Sequence, residues 1–176
     1  MTERAVFLDR DGVINKAVVR DGRPFPPANV LELQLLPGVE EAIERLRGAG
    51  FKIIVVTNQP DVTRGVQEKE EVEAIHEEIK SKLRVDDIRV CYHDDPDGCD
   101  CRKPKPGLLT KAAEDFGIDL SSSFMVGDRW RDIDAGKEAG CKTILVEYGY
   151  AEKKATGYDR RVNSLAEAAE WIINNK

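Results

Sequence analysis

The stretch Val6–Asn15, VFLDRDGVIN, runs from an apolar segment into two carboxylates separated by a single arginine. Its first half decides the fold. Val6, Phe7 and Leu8 follow one another with no polar alternation, the pattern of a strand buried on both faces of a parallel sheet. Its second half sets a problem. Ionised side chains that close repel each other, and neither is easily desolvated. Asp9 and Asp11 therefore need partners from elsewhere in the chain.

Working outward, AVFLD (5–9), KIIVVTN (52–58), IRVCYH (88–93), SFMVGD (123–128) and KTILVE (142–147) all read as buried strands. Helical periodicity fills the gaps at 38–50, 68–83, 105–117, 131–140 and 164–175. The stretches 38–50, 105–117 and 131–140 end on a glycine, 105–117 also begins near a proline, and Ser164 caps the last. Strand and helix in alternation predict an α/β fold with a doubly wound, mostly parallel sheet. Residues 10–36 and 93–107 break the rhythm, and long irregular segments in a small protein usually carry function. With no repeat, linker or low-complexity tract, residues 1–176 are expected to form one domain.

Composition narrows the function. Of the 176 residues, 41% are hydrophobic and 34% charged, and the formal net charge of −6 argues against a nucleic-acid partner, which needs a basic face. No apolar stretch is long enough for a bilayer. Thr2-Glu3-Arg4 leads straight into a short apolar run, unlike a signal peptide. A cytoplasmic, monomeric protein is expected.

In an open α/β sheet, ligands sit beyond the carboxyl ends of the strands. The first strand delivers Asp9 and Asp11 there, the second Thr57 and Asn58. The third leads through a Cys/His segment to Arg102 and Lys103, and the fourth delivers Asp128 and Arg129, with Asp132 one helical turn on. Several carboxylates at one point call for a hard cation, and Mg²⁺ suits oxygen ligands and a substrate phosphate. Asp9 and Asp128 are natural ligands, with a backbone carbonyl near Asp11 as a third. Lys103 and the Thr57 hydroxyl would meet the remaining phosphoryl oxygens. One carboxylate could attack phosphorus, and a second could shuttle the proton.

The ordered set LDRDGV, VVTNQ, CRKPKPG and VGDRWRDIDAG resembles the haloacid dehalogenase (HAD) superfamily of phosphohydrolases over about residues 5–147. The resemblance implies a HAD-like Rossmannoid fold and an aspartyl-phosphate mechanism. In it Asp9 is the nucleophile and Asp11 the general acid and base. Thr57, Asn58 and Lys103 bind the phosphoryl group, and Mg²⁺ is held by Asp9, Asp11 (through its carbonyl) and Asp128. A narrower similarity is to D-glycero-D-manno-heptose 1,7-bisphosphate phosphatases, small members without a large cap domain that serve lipopolysaccharide or surface-glycan synthesis. Histidinol-phosphate phosphatases share nearly the same layout. In this group Arg102 joins Lys103 in binding the substrate phosphate. Arg129 stands where the fourth motif commonly carries lysine, a change that keeps charge but alters geometry.

Cys91, His93, Cys99 and Cys101 form a Cys₃His set, the make-up of a closed structural zinc site at about residues 91–101. Zinc would order a loop nearly devoid of apolar residues that runs directly into Arg102-Lys103. Cys141 reads as a core or surface thiol, His76 as lying on the polar side of its helix, Trp130 as packing at the site edge and Trp171 as core. Loops 16–36 and 59–66 would meet the leaving group, with Arg20, Arg23 and Arg64 as candidates for a second phosphate. Two other readings compete with a sugar-phosphate phosphatase. One is a receiver-like signalling domain, which also collects Asp, Thr and Lys at strand ends. The other is a polynucleotide phosphatase, against which the acidic charge speaks.

Overall fold

Eight strands and five α-helices alternate along residues 2–176, the part of the chain that the structure, a computed structural model, describes. The strands are β1 (Ala5–Leu8), β2 (Val18–Arg20), β3 (Arg23–Phe25), β4 (Lys52–Asn58), β5 (Asp87–Cys91), β6 (Phe124–Gly127), β7 (Lys142–Val146) and β8 (Arg160–Val162). The helices are α1 (Val39–Gly48), α2 (Lys69–Lys82), α3 (Gly107–Phe116), α4 (Trp130–Ala139) and α5 (Leu165–Asn174). Six strands make one sheet in the order β5-β4-β1-β6-β7-β8, and every neighbouring pair is parallel. The expected α/β class and parallel sheet are therefore present. No helix among the described residues is long and apolar enough to cross a membrane.

Side-chain alternation along the strands builds two cores. Val6, Leu8, Ile53, Val55 and Val126 face the layer of α1, α2 and α5. Ala5, Phe7, Ile54, Val56 and Met125 face the opposite layer, with Leu109 and Ala112 of α3. This two-sided burial is why the strands read as unbroken apolar runs. With β4 on one flank of β1 and β6 on the other, the strand order reverses at β1. That is where a doubly wound sheet opens its crevice.

Two elements lie outside the expected set. β8 is a three-residue edge strand whose first two residues are exposed arginines, so it carries no apolar run. The β2–β3 hairpin falls in the segment expected to be irregular. Asp21 (φ 50°) and Gly22 (φ 73°) make its two-residue turn, and an Asp-Gly pair is the signal for such a turn. The insertion after β1 is thus a small hairpin, not a cap domain.

The expectation for His76 is corrected. It is only 6% exposed, and its Nε2 lies 2.9 Å from Nη1 of the buried Arg10. Trp171, expected in the core, is half-buried at its margin, edge-on to Phe124 with ring centroids 6.2 Å apart. Cys141 is a buried thiol. Burial, and then the Arg10 charge, bring His76 down to about 3 from its ordinary 6.5. Between these values the unfolded chain holds a proton that the folded chain does not. Stability is therefore full above pH 6.5 and falls as the pH drops toward 3. We expect His76→Gln, which cannot take that proton, to remove about 2 kcal/mol of the stability lost between pH 7.5 and pH 5. Urea unfolding of both proteins at the two pH values measures this, and identical pH dependence would refute it.

Candidate active site

The strand ends bring three carboxylates together. Asp9 follows β1, Asp128 follows β6, and Asp132 lies in the first turn of α4. One oxygen from each lies within 4.8 Å of the others, and all three residues are buried. Close packing enforces this. A Cβ on Gly12 would stand 2.0 Å from Oδ2 of Asp128, and one on Gly127 would stand 2.1 Å from Cβ of Asp132. Gly12 also holds φ at +91°, so it combines a left-handed turn with a close approach that only glycine permits.

One cation serves this cluster directly. Lys103, 2% exposed, donates to Oδ1 of Asp9 (2.8 Å), Oδ1 of Asp132 (2.6 Å) and the Val56 carbonyl (2.7 Å). All three ammonium protons are thereby used. Burial works against the Lys103 charge, but Asp132 and Asp9 outweigh it and hold the ammonium above its ordinary pKa. The carboxylates remain undercompensated. Burial first, then the Asp132 charge, push Asp9 up to about 6 despite Lys103. Burial, then Asp9 and Asp132, hold Asp128 well above the ordinary carboxylate range. Oδ2 of Asp128 accepts from the Tyr150 hydroxyl at 2.8 Å, while its buried Oδ1 has no protein partner. An orphaned oxygen beside other buried carboxylates fits a divalent cation with oxygen ligands. The Arg10 carbonyl already accepts from the Val13, Ile14 and Asn15 amides, which leaves the Asp11 carbonyl as the backbone ligand of choice.

Asp11 has a different setting. Its carboxylate accepts from Arg10 Nε (3.1 Å) and Nη2 (3.0 and 3.2 Å), Asn15 Nδ2 (2.9 Å) and Gln59 Nε2 (3.0 Å). Gln59 also donates to Thr57 Oγ1 at 2.8 Å, tying the end of β4 to Asp11. Asn58 does not extend into free space. Its carboxamide donates to the Lys103 carbonyl (3.0 Å) and accepts from the Lys103 amide (3.1 Å), so it clamps the loop that carries the lysine.

Above these groups lies a cleft of about 270 Å³, lined on one side by Arg23 to Pro26 of the hairpin and on another by residues 58–61 and 64. Its cations are Arg23, Arg64, Arg102, Lys103, Arg129 and Arg131, six positive side chains on a protein of net charge −6. Arg102 is paired with Asp95 (2.7 Å), Arg131 with Asp95 (3.0 Å), Arg64 with Asp94 (2.6 Å) and Arg129 with Glu152. Arg20 lies instead over the Phe25 ring, 5.6 Å from its centroid, outside the lining. Trp130 starts α4 beside the site, with Lys153 4.0 Å from its ring centroid.

β5 leads into the sulfur cluster. Cys91, His93, Cys99 and Cys101 bring one ligand atom each within 4.8 Å of one another, and no disulfide is formed. Cys91 and Cys99 Sγ are 3.7 Å apart, and Cys99 and Cys101 Sγ are 3.5 Å apart. Tetrahedral zinc thiolates with bonds near 2.3 Å would stand about 3.8 Å apart. Cys101 and Cys91, at 2.8 Å, are closer than that.

Sequence reasoning missed four residues here. Gln59 and Asn15 sit in quoted motifs, but a carboxamide carries no charge signal. Tyr150 arrives from the segment after β7, and Arg10 reads as a spacer between two aspartates.

A family model described as HAD-hydrolase-like matches residues 100–168. A D-glycero-beta-D-manno-heptose-1,7-bisphosphate 7-phosphatase of Pseudomonas aeruginosa is 38% identical over 85% of this chain and 84% of its own length. A D-glycero-D-manno-heptose-1,7-bisphosphate 7-phosphatase of Thermosynechococcus vestitus is 35% identical over 99% of this chain and 98% of its own. Among solved structures, the D,D-heptose 1,7-bisphosphate phosphatase from B. bronchiseptica, complexed with magnesium and phosphate, matches with a TM-score of 0.85 and 33% identity. That match covers 98% of this chain and 99% of that one. Chain-length kinship with phosphatases decides against the receiver-like alternative. The chain is a phosphatase and belongs to the HAD-like hydrolases, in the branch that contains the heptose bisphosphate phosphatases.

Proposed function

We propose that this phosphatase removes the 7-phosphate of D-glycero-D-manno-heptose 1,7-bisphosphate through an aspartyl phosphate on Asp9. The observation that carries the reading is the buried trio Asp9, Asp128 and Asp132 around Lys103, beneath a cleft rimmed with arginines. Full-length similarity to 7-phosphatases supports the substrate. Histidinol phosphate is the alternative among small phosphate esters.

Asp9, Asp128 and the Asp11 carbonyl would hold Mg²⁺, which when bound neutralises phosphoryl oxygens and the excess carboxylate charge. The Asp9 carboxylate attacks phosphorus, the ester P–O bond breaks, and Asp11, entering the cycle as the carboxylic acid, gives its proton to the leaving alkoxide and becomes the carboxylate. Water then attacks the same phosphorus and gives its proton to Asp11. The bond to Asp9 breaks and inorganic phosphate leaves. Lys103 keeps its charge throughout and balances the negative equatorial oxygens. Thr57, expected to meet the phosphoryl group, lies buried behind the cleft lining with its hydroxyl accepting from Gln59, and Arg102 lines the cleft beside Asp95. Residues 1–176 work as one unit with a built-in loop in which Cys91, His93, Cys99 and Cys101 bind structural zinc. The loop has little apolar matter of its own, and the metal would brace it where Arg102 and Lys103 follow.

Arg23 gives the substrate reading its specificity test. Four of the other cleft arginines are spent on carboxylates. Arg23, on the hairpin, has no carboxylate within ion-pair distance among the described residues, so it is available to a distal phosphate.

Three outcomes are expected. Asp9→Asn should lose phosphate release by more than about a thousandfold while its circular dichroism stays unchanged, as expected on losing a covalent nucleophile. Retained turnover would exclude Asp9. Elemental analysis after reducing, chelator-free purification should find about one zinc per chain, as one four-ligand site requires. Chelation should lower Tm and raise KM, and a metal-free protein of unchanged stability would refute the site. Arg23→Ala should raise KM for the heptose bisphosphate about tenfold, the loss of one charged contact, yet leave a heptose monophosphate unaffected. Equal effects on both esters, or faster turnover of histidinol phosphate across a substrate panel, would overturn the bisphosphate reading.

A further inference from the structure

Among the described residues Arg10 heads the fully buried side chains by size, with 0% of it exposed. Alternation along β1 explains its direction. Val6 and Leu8 face the layer containing α2, and Arg10 continues their side, where Ile75 and Ile79 of α2 also pack. Asp9 points the other way, toward Lys103. A guanidinium carries five N–H donors and cannot shed its proton, so burying it is costly unless those donors are met. Here two sides of the fork meet Asp11, and Nη1 meets Nε2 of His76 at 2.9 Å. Because Arg10 can only donate, Nε2 must accept. The imidazole is therefore neutral, with its proton on Nδ1. Nothing in the catalytic scheme uses this pair.

We propose that Arg10 and His76 form a positioning clamp for the acid–base carboxylate, with His76 on α2 setting the guanidinium and the guanidinium setting the Asp11 rotamer. The inference rests on the assignment of Asp11 as general acid and base. Three groups hold Asp11: the guanidinium, Asn15 and Gln59. Two of them are neutral amides on short loops. Only the guanidinium grips both carboxylate oxygens (3.0 and 3.2 Å) and is itself anchored to a helix. The Asp11 side chain remains 17% exposed at the cleft, so the clamp fixes it without sealing it from substrate. Loss of the clamp leaves the nucleophile, its lysine and the metal ligands in place. It removes precise proton delivery, which matters most when the leaving group is a poor one.

The test is kcat/KM for His76→Leu, His76→Gln and Arg10→Lys on a series of phosphate monoesters, from a nitrophenyl ester to an alkyl sugar phosphate. General acid catalysis contributes on the order of a hundredfold or more to expulsion of an alkoxide and little to that of a nitrophenolate. We expect His76→Leu to lose at least about tenfold on the sugar phosphate and under about threefold on the nitrophenyl ester. His76→Gln, whose carbonyl can still accept from Nη1, should restore the sugar-phosphate rate. Arg10→Lys keeps the charge but not the fork, so it should show the same split, and it decides the matter if His76→Leu does not fold. Equal losses on all esters, no loss, or a Gln variant that folds yet behaves like Leu would overturn the clamp. Asp11→Asn is the reference. A steep leaving-group dependence there with none in the clamp variants rejects the clamp alone, whereas a flat response in Asp11→Asn rejects the acid–base assignment beneath it.

Discussion

Everything at this site hangs on one buried ammonium. Lys103 reaches two carboxylates and a carbonyl from a position almost closed to water. Taking such charges out of water costs several kcal/mol per ion, and only full hydrogen bonding and close opposite charge offset it. The ledger at this point is still unequal, with three carboxylates around one cation. Burial first, and then that inequality, holds the Asp9 and Asp128 carboxyls above the ordinary carboxylate range. A phosphatase gains from it. A site short of positive charge binds a divalent cation, and the cation-bearing site then receives the dianionic phosphate ester that the bare carboxylates would repel.

Such an ammonium must be held from behind as well as in front, and this explains the surroundings of Lys103. Asn58 spends its whole carboxamide on the lysine's backbone, and Arg131 donates to the same carbonyl at 3.2 Å. Upstream, the cluster of Cys91, His93, Cys99 and Cys101 ends only two residues before the lysine. A segment such as HDDPDGCDCRK cannot bury apolar surface to order itself. Its order comes from capping bonds around Asp94, ion pairs to Asp95 and the sulfur cluster. The proposed metal would thus serve catalysis at one remove, by making a polar loop rigid enough to carry a buried charge.

The fold was legible wherever burial leaves a repeating mark. β1, β4, β6 and β7 are apolar on both faces, and their alternation with helices alone puts the charged residues at the carboxyl ends of neighbouring strands. β8 and the hairpin were not legible from hydropathy, because three-residue strands with exposed arginines have no apolar run, although Asp21-Gly22 was a turn signal on its own. At the site, charge made Asp9, Asp11, Lys103 and Asp128 visible. Neutral supports were hidden. Gln59 and Tyr150 act by hydrogen bonds whose partners lie 48 and 22 positions away, and no local pattern encodes such a pairing. His76 escapes the helical pattern for a related reason. It falls four residues after Val72, on the flank of the apolar stripe of α2, and what buries it polar side inward is an arginine 66 positions earlier.

That arginine also resolves how two identical residues, two positions apart, come to differ. In a continuing strand Asp9 and Asp11 would share a face and repel each other across it. The chain turns at Arg10 instead, where one carbonyl gathers the amides of Val13, Ile14 and Asn15. The turn leaves Asp9 on the Lys103 side, among buried carboxylates, and folds Asp11 back onto the guanidinium of its own neighbour. One aspartate is pressed among buried carboxylates around Lys103, and the other is ion-paired at the cleft wall. The residue between them, which looks like a spacer in LDRDG, supplies both the bend and the charge that keep them apart. The difference in setting between the two aspartates thus belongs to the arginine.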